Sequence, residues 1–186
     1  QRRMDPAEEK KALLHDIDHQ DEIRLEGLAP PARVLVEARG LTFGYEQGRA
    51  LTAPLDFQLR AGEHMALVGK NGCGKSTLIR LIAGEALPHE GSLFLPGGLK
   101  ISYLPQQAED FSGTLRQYAQ RWQVEQTLFF TLLRKLELPS AAREGRFEEM
   151  SDGQKKKVML ARSLCQKAHL YLWDEPLNFM DVISRM

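Results

Sequence analysis

A phosphate-binding loop is indicated by eight consecutive residues, Gly69-Lys70-Asn71-Gly72-Cys73-Gly74-Lys75-Ser76. They fit the pattern G-x-x-x-x-G-K-[ST], and their context fits as well, because an apolar run (Met65–Val68) predicts a buried strand before them and residues 75–83 predict a helix after them. Glycines let backbone N–H groups turn toward an anion, and the helix N-terminus adds positive potential. We expect Lys75 to reach the β- and γ-phosphates of a nucleotide and Ser76 to ligate Mg²⁺.

A second chemical site is predicted at Asp174-Glu175, directly after the apolar run Leu170–Trp173. A carboxylate at the end of a buried strand is costly unless it faces a cation, so Asp174 can hold Mg²⁺ directly or through water. Glu175 can orient and polarise an attacking water. The same letters also occur where a strand simply ends in a turn, and that alternative stays open for this segment alone.

A third segment, Ser151-Asp152-Gly153-Gln154, leads into a predicted helix over residues 152–166. Ser151 can cap that helix, and Gly153 lets a phosphate approach the backbone. A plain helix cap without a ligand explains the segment equally well.

The surrounding elements predict a mixed sheet flanked by helices. A strand starts at Val34, and residues 41–45 either end it or pair with it; the alternation of Leu55, Phe57 and Leu59 predicts an antiparallel strand with one wet face. Further predicted elements are strands over 92–95 and 100–104 and a mostly helical stretch over 114–138 that Pro139 ends. His169 is predicted to be the first residue of the strand that leads to Asp174. Residues 1–31 predict the end of a charged helical linker, broken by Pro30-Pro31.

Taken in order, these motifs resemble those of ATP-binding-cassette (ABC) ATPases across roughly residues 33–186, with a Q-loop at Tyr103-Leu104-Pro105-Gln106 and a D-loop at Asp181. The resemblance implies an α/β P-loop NTPase fold over residues 32–186, with an antiparallel subdomain and a short helical insertion. It also implies that Tyr45 stacks on adenine, although a core aromatic at the end of a strand is the alternative for this residue, and that Gln106 contacts Mg²⁺ and the attacking water. The catalytic residues implied are Glu175, Gln106 and Lys75, and the Mg²⁺ ligands are Ser76, Gln106 and Asp174. The implied nucleotide contacts are Tyr45, Gly69, Lys70, Asn71, Gly72, Cys73, Gly74, Lys75, Ser76, Thr77, Ser151, Gly153 and Gln154.

Two departures from the family pattern qualify this resemblance. Asp152 stands where the family signature usually has glycine. The family's switch histidine lies beyond the D-loop, so we expect the domain to be truncated before it. Because the family sandwiches each ATP between the P-loop of one domain and the signature of another, we expect the chain to need a second ABC domain and to hydrolyse ATP negligibly alone.

Three features resemble the ABC-F branch, whose members carry two ATPase domains and act on ribosomes. Ser151 follows Gln106 by only 45 positions, a charged helical linker precedes the domain, and Asp174-Glu175-Pro176-Leu177-Asn178-Phe179-Met180-Asp181 resembles the ABC-F form of this segment. The Leu-Asn-aromatic form resembles the antibiotic-resistance, ribosome-protection members. The resemblance implies a translation factor that contacts RNA, to which Lys155-Lys156-Lys157 either contributes or forms a solvated helix face.

The alternative is the ATP-binding subunit of an ABC membrane transporter. A DNA-repair or chromosome ATPase is disfavoured, since those proteins carry long coiled coils between P-loop and signature. The 186 residues have balanced charge, with 25 Lys plus Arg against 25 Asp plus Glu, and no apolar run long enough to cross a bilayer. Two cysteines without metal-ligand spacing fit a cytoplasmic location.

Overall fold

The structure, a computed structural model, describes residues 28–45 and 50–176. The predicted linker helix falls mostly in residues 1–27, outside the described residues, and the predicted D-loop residue Asp181 also lies outside them. Residues 28–31, the last of the predicted linker, contain no helix.

A three-stranded antiparallel sheet forms one side of the fold. Its strands are β1 (Val34–Phe43), β2 (Leu55–Arg60) and β3 (His89–Phe94), in the order β2-β1-β3. Residues 41–43 therefore continue the first strand instead of pairing with it, and the alternating burial of β2 confirms its predicted wet face. The central strand β1 is irregular near Gly40, where a Cβ on Gly91 would lie 2.3 Å from the Gly40 carbonyl oxygen.

Helix α1 (Lys75–Ile82) follows the phosphate-binding loop, as predicted, and ends close to the predicted boundary. Its apolar face, which includes Leu78, Ile79 and Ile82, is buried in one core cluster with β1 and with residues of the last strand. The loop that precedes α1 is thus attached to a packed helix at one end.

A parallel pair of strands, β4 (Ile101–Leu104) and β5 (Leu170–Trp173), forms a second sheet. Helix α5 (Asp152–Cys165) packs against β4 and supplies Val158, Met159 and Ala161 to a second core cluster. The helix confirms its prediction, and β5 confirms the predicted strand over Leu170–Trp173, but the prediction that His169 begins this strand is wrong. Among the described residues the parallel and antiparallel strands form two separate sheets, and the predicted single mixed sheet is absent there.

The helical insertion consists of α2 (Leu115–Arg121), α3 (Gln126–Lys135), α4 (Ser140–Glu144) and a 3₁₀ turn at Phe147–Glu149. The stretch over 114–138 is mostly helical, as predicted, and it is divided into α2 and α3 because Gln123 adopts a left-handed φ of 52° and Glu125 caps α3. Pro139 ends the stretch as predicted and stands at the N-cap of α4. The Tyr118 ring stacks on the rings of Phe129 and Phe147 in the core of this insertion.

The prediction of a buried strand at Met65–Val68 is wrong for the described structure. No described strand pairs with this run, and Met65, Leu67 and Val68 are 46%, 37% and 93% exposed. An apolar run is suited to a buried strand, but such a strand must also pair with neighbouring strands on both sides. The apolar pattern of the run does not show whether those neighbours are present.

Candidate nucleotide site

The loop over residues 69–76 wraps around the start of α1. Gly72 and Gly74 have left-handed φ values of 77° and 97°, and Gly74 is the N-cap of the helix. A Cβ on Gly74 would lie 3.1 Å from the Phe43 ring, so this position combines a left-handed backbone with a close approach. The loop therefore has the backbone geometry by which glycines direct N–H groups toward an anion.

The Lys75 ammonium folds back onto its own loop. Its Nζ donates to the carbonyl oxygens of Gly69 at 2.9 Å and Lys70 at 3.0 Å. Cys73 lies in the same turn, with its Sγ 4.0 Å from that Nζ and 2.7 Å from where a Cβ on Gly69 would stand. Lys75 thus lies inside the loop, where a bound phosphate would compete with the two carbonyls for its protons.

Tyr45 reaches the same loop from the end of β1. Its phenol lies 2.9 Å from the Thr77 hydroxyl, and its side chain is 60% exposed. Thr77 is buried, so the hydrogen bond fixes one end of the phenol while the ring face stays open to solvent. An open aromatic face beside a phosphate loop suits the stacking role implied for Tyr45.

The second predicted site forms where β4 and β5 end. The two strands are in parallel register from Ile101 with Leu170 to Leu104 with Trp173. Gln106 and Glu175 each follow two residues beyond that last pair, and the Gln106 Nε2 donates to Glu175 Oε2 at 2.8 Å. Glu175 has a left-handed φ of 48°, an uncommon conformation for a non-glycine residue that is often found at functional sites.

Asp174 directly follows β5 and is buried. It is 3% exposed, and its backbone N–H donates to the Leu104 carbonyl at 2.9 Å. Among the described residues no group of three or more His, Cys, Asp or Glu side chains is placed to hold a metal ion. Mg²⁺ in nucleotide sites needs only one or two protein ligands besides phosphates and water, and the hydroxyl of Ser76, the amide oxygen of Gln106 and the carboxylate of Asp174 are oxygen donors of the type it prefers. The donor set therefore fits Mg²⁺.

The predicted signature residues form a capping box at the start of α5. Ser151 Oγ accepts the Gln154 N–H at 3.3 Å, and the Gln154 side chain accepts the Ser151 N–H at 3.0 Å. The side chains of Ser151 and Gln154 thus make the hydrogen bonds of an ordinary helix cap, while Ser151 and Asp152 remain exposed. The structure describes this cap in a single chain, and contact with a nucleotide of another domain stays a prediction.

Lys156 and Arg162 on α5 were not among the predicted site residues. Lys156 is 3% exposed, so the interpretation of Lys155–Lys157 as a solvated face is wrong at its centre. Burial lowers the Lys156 pKa, an effect that the carboxylates of Asp174 and Glu175 oppose. Helical spacing was the available signal, since residue 156 shares a face with Met159 and Leu160, both buried.

The guanidinium of Arg162 lies beside the Q-loop segment, in a cleft of about 400 Å³. It donates to the Tyr103 carbonyl at 2.9 Å, pairs with Glu109 at 2.9 Å and lies 4.2 Å from the centre of the Trp122 ring. Helix α5 thus contacts the chain on both sides of Gln106.

The loop, the helix that follows it and the acidic residues after β5, with Gln106 beside them, define a P-loop nucleoside-triphosphatase. Within that class the sequence profile of the family described as ABC transporter matches residues 52–178, and the chain belongs to this family of ATP-binding domains. Binding of ATP with Mg²⁺, and its hydrolysis, are general properties of the family.

Similar proteins include the putrescine transport ATP-binding protein PotG of Escherichia coli, 34% identical over 79% of this chain and 43% of the relative. The zinc import ATP-binding protein ZnuC of Pseudomonas putida is 30% identical over 83% of this chain and 60% of the relative. The chain therefore spans about half the length of these relatives. Both are named for transport systems, and neither name refers to ribosomes.

Two solved structures share the fold. A bacterial Atm1-family ABC exporter with ATP bound matches with a TM-score of 0.70 over 96% of this chain and 36% of that one, at 20% identity. A metal-chelate type ABC transporter in an inward-facing conformation matches with a TM-score of 0.61 over 83% of this chain and 64% of that one, at 23% identity. The predicted fold class is confirmed. In the part of the chain that the structure describes, no helix has the length and apolar character needed to cross a membrane.

Proposed function

We propose that this chain is the ATP-hydrolysing domain of a two-domain ABC machine in the cytoplasm, and that its chemistry is centred on Gln106 and Glu175. The observation that carries the proposal is the 2.8 Å hydrogen bond between these side chains, next to a strand-end aspartate. Ligands in α/β folds bind at the carboxyl ends of parallel strands, where both residues lie.

Each residue of the site has a role in this proposal. The loop N–H groups and Lys75 bind the phosphates, and Tyr45 stacks on the adenine. Ser76, Asp174 and the Gln106 amide oxygen would hold Mg²⁺, which neutralises charge on the phosphates when bound. Glu175 accepts a proton from the attacking water, and the Gln106 amide aims that water at the γ-phosphate.

A second ABC domain completes the site. At the start of α5, Ser151 is exposed, while Gly153 and Gln154 are half-buried. The Ser151 hydroxyl and the backbone N–H groups of this first turn can donate to a γ-phosphate. Asp152 adds a carboxylate at this surface and would disfavour a phosphate that approached its side chain. In this proposal Lys75 and Ser151 therefore serve two different nucleotides.

The partner that the machine drives is, in the first candidate, a membrane transporter. The relatives' names support it, since PotG and ZnuC are ATP-binding proteins of putrescine transport and zinc import. In that case the chain would bind to the membrane-spanning subunits through which the transported substrate passes.

The second candidate is an ABC-F protein that acts on ribosomes. Its support is the segment Asp174–Asp181 and the compact insertion, whose three helices are only 7, 10 and 5 residues long. We keep antibiotic resistance by ribosome protection within this second candidate.

One experiment separates the candidates. The full-length protein carrying Glu175→Gln would be expressed in cells, so that ATP binds but is hydrolysed slowly. Cells would then be lysed with Mg²⁺-ATP, and membranes and ribosomes separated on one gradient. Sedimentation with membranes, lost after detergent, supports the transporter; sedimentation with ribosomes, lost when Lys75→Ala removes ATP binding, supports ABC-F. ATP hydrolysis at the parent rate by Glu175→Gln contradicts the proposed chemistry in either case.

A further inference from the structure

The Lys156 ammonium is buried between the ends of β4 and β5. Its Nζ donates to the Pro105 carbonyl at 2.6 Å and lies 3.5 Å from the Asp174 carbonyl oxygen. With 3% of the residue exposed, water cannot replace either contact. One charged group therefore connects the two chain segments just after they leave the sheet.

The two carbonyls belong to the residues directly before Gln106 and Glu175. The regular pairing of β4 and β5 ends at Leu104 and Trp173, and the N–H of Asp174 still bonds to Leu104. Beyond that point the ladder no longer fixes the distance between the segments. Gln106 is exposed and Glu175 has a left-handed backbone, so neither residue is held in place by regular strand pairing.

We propose that Lys156 is a positioning residue, which holds the Gln106 amide and the Glu175 carboxylate in contact by gripping the carbonyls of Pro105 and Asp174. Lys156 touches neither the nucleotide nor the water. It acts through the backbone, and the proposal rests on the catalytic roles proposed above for Gln106 and Glu175.

The chemistry of the position favours this role over simple packing. A buried ammonium loses its hydration, and an unbranched apolar side chain of the same length would fill the space without that cost. Methionine and leucine residues already occupy the neighbouring positions on this face of α5. A lysine here is best explained by the two acceptors it satisfies.

Arg162 supports the same segment from its other side. It binds the Tyr103 carbonyl and Glu109, so the chain is tied to α5 three residues before and three residues after Gln106. Lys156 is the one of the two cations that also reaches the Glu175 segment. Its loss should therefore affect the relative placement of the catalytic pair more than the folding of the Q-loop.

The test compares Lys156→Met, Lys156→Arg and the neighbouring control Lys157→Met in the full-length protein. Lys157 is half-buried and donates to the Glu137 carbonyl at 3.4 Å, away from the site. We expect Lys156→Met to lower kcat for ATP hydrolysis by about 10- to 100-fold, because small misplacements of catalytic groups cost that much, with the Kd for a fluorescent ATP analogue changed by less than about twofold. Lys156→Arg, which keeps donors for both carbonyls, should retain more activity than Lys156→Met, and Lys157→Met should match the parent.

A double-mutant cycle identifies the route of the effect. In a Gln106→Ala background, Lys156→Met should lower kcat by less than about twofold further, since the contact it positions is already gone. If the full loss persists in that background, or if kcat and ATP affinity fall together, Lys156 is a packing residue and the proposal is wrong. If Lys156→Met does not fold, the same cycle with Lys156→Gln, whose shorter side chain stays polar but cannot reach both carbonyls, decides in the same way.

The proposed function and this inference fail differently. Parent-rate hydrolysis by Glu175→Gln would overturn the proposed function and the positioning role with it. Loss of hydrolysis in Glu175→Gln together with parent-like kcat in Lys156→Met would overturn the positioning role alone.

Discussion

Gln106 and Glu175 are 69 positions apart in the sequence, yet the Gln106 amide donates to the Glu175 carboxylate at 2.8 Å, two residues beyond the last pair of the parallel strands. The contact joins an amide donor to a carboxylate acceptor. A water that binds between a nucleotide and this pair would meet one group that orients it and one that can take its proton.

Replacement of Glu175 by glutamine should slow ATP hydrolysis by about 100-fold or more while ATP binding persists, because an amide is polar but a poor base. Steady-state phosphate release and ATP-analogue binding by the full-length variant would measure the two effects. Glu144→Gln, at an exposed position in α4, is the matched control and should leave both unchanged. A Glu175→Gln protein as active as its parent would exclude this carboxylate as the base.

Tyr45 should contribute to ATP affinity through its ring and not through its hydroxyl. Tyr45→Phe should bind ATP nearly as the parent does, whereas Tyr45→Ala should lose about 1–2 kcal/mol, the value of one aromatic stacking contact on a base. Titration with ATP and with inorganic triphosphate separates the effects, since triphosphate has no base to stack. An equal loss in both variants would instead assign the role to the hydrogen bond with Thr77.

Two glycines at the ends of α1 offer a matched comparison. Gly74 and Gly84 have φ values of 97° and 96°, but only at Gly74 would a Cβ meet other atoms, the nearest in the Phe43 ring. Gly84→Ala should therefore cost only the left-handed backbone penalty of about 1–2 kcal/mol and leave ATP affinity intact. Gly74→Ala should destabilise the protein further and weaken ATP binding at least about tenfold, as measured by denaturant unfolding and nucleotide titration.

The two cysteines should differ in reactivity toward a maleimide. Burial raises the pKa of the Cys165 thiol to about 12, so little thiolate forms at pH 7–8. Cys73 lies in the phosphate loop with its Sγ 4.0 Å from the Lys75 ammonium. We expect mass spectrometry to find Cys73 labelled first and protected by ATP; labelling of both cysteines without regard to ATP would contradict this placement of the nucleotide.

Glu148 should make the helical insertion sensitive to acid. The Gly113 N–H, its own N–H, the Ser112 hydroxyl and the Arg146 guanidinium hold the pKa of this carboxyl at about 2, below its usual 4.5. Its stabilising effect is therefore complete above pH 4.5 and is lost as the pH falls toward 2. Glu148→Gln should lower the melting temperature at pH 7, with the difference from the parent shrinking across that window; a difference that stays constant from pH 7 to pH 2 would contradict this role of the carboxylate.

Much of this architecture follows from local pattern. Alternation predicted the wet face of β2, and the loop motif with its following helix predicted α1, because each signal depends on neighbours in sequence. The roles of Gln106 and Glu175 came from the family resemblance, but their contact was not predicted, since it involves two parallel strands whose pairing no local pattern encodes. The prediction that Lys156 lies on a solvated helix face was wrong because it was based on the charge of the lysine run and not on helical spacing. Within the stretch predicted to be mostly helical, the left-handed Gln123 separates α2 from α3, and no local pattern indicated the position of that break.

The apolar run Met65–Val68 also affects how the protein behaves in solution. No described strand pairs with this run, and its apolar side chains, with Val68 93% exposed, form an uncovered apolar surface. We expect the protein to associate more strongly as its concentration rises, through apolar contacts next to the phosphate loop itself. Aggregation and loss of nucleotide binding would in that case be one event, since the segment that recruits another chain leads directly into Gly69.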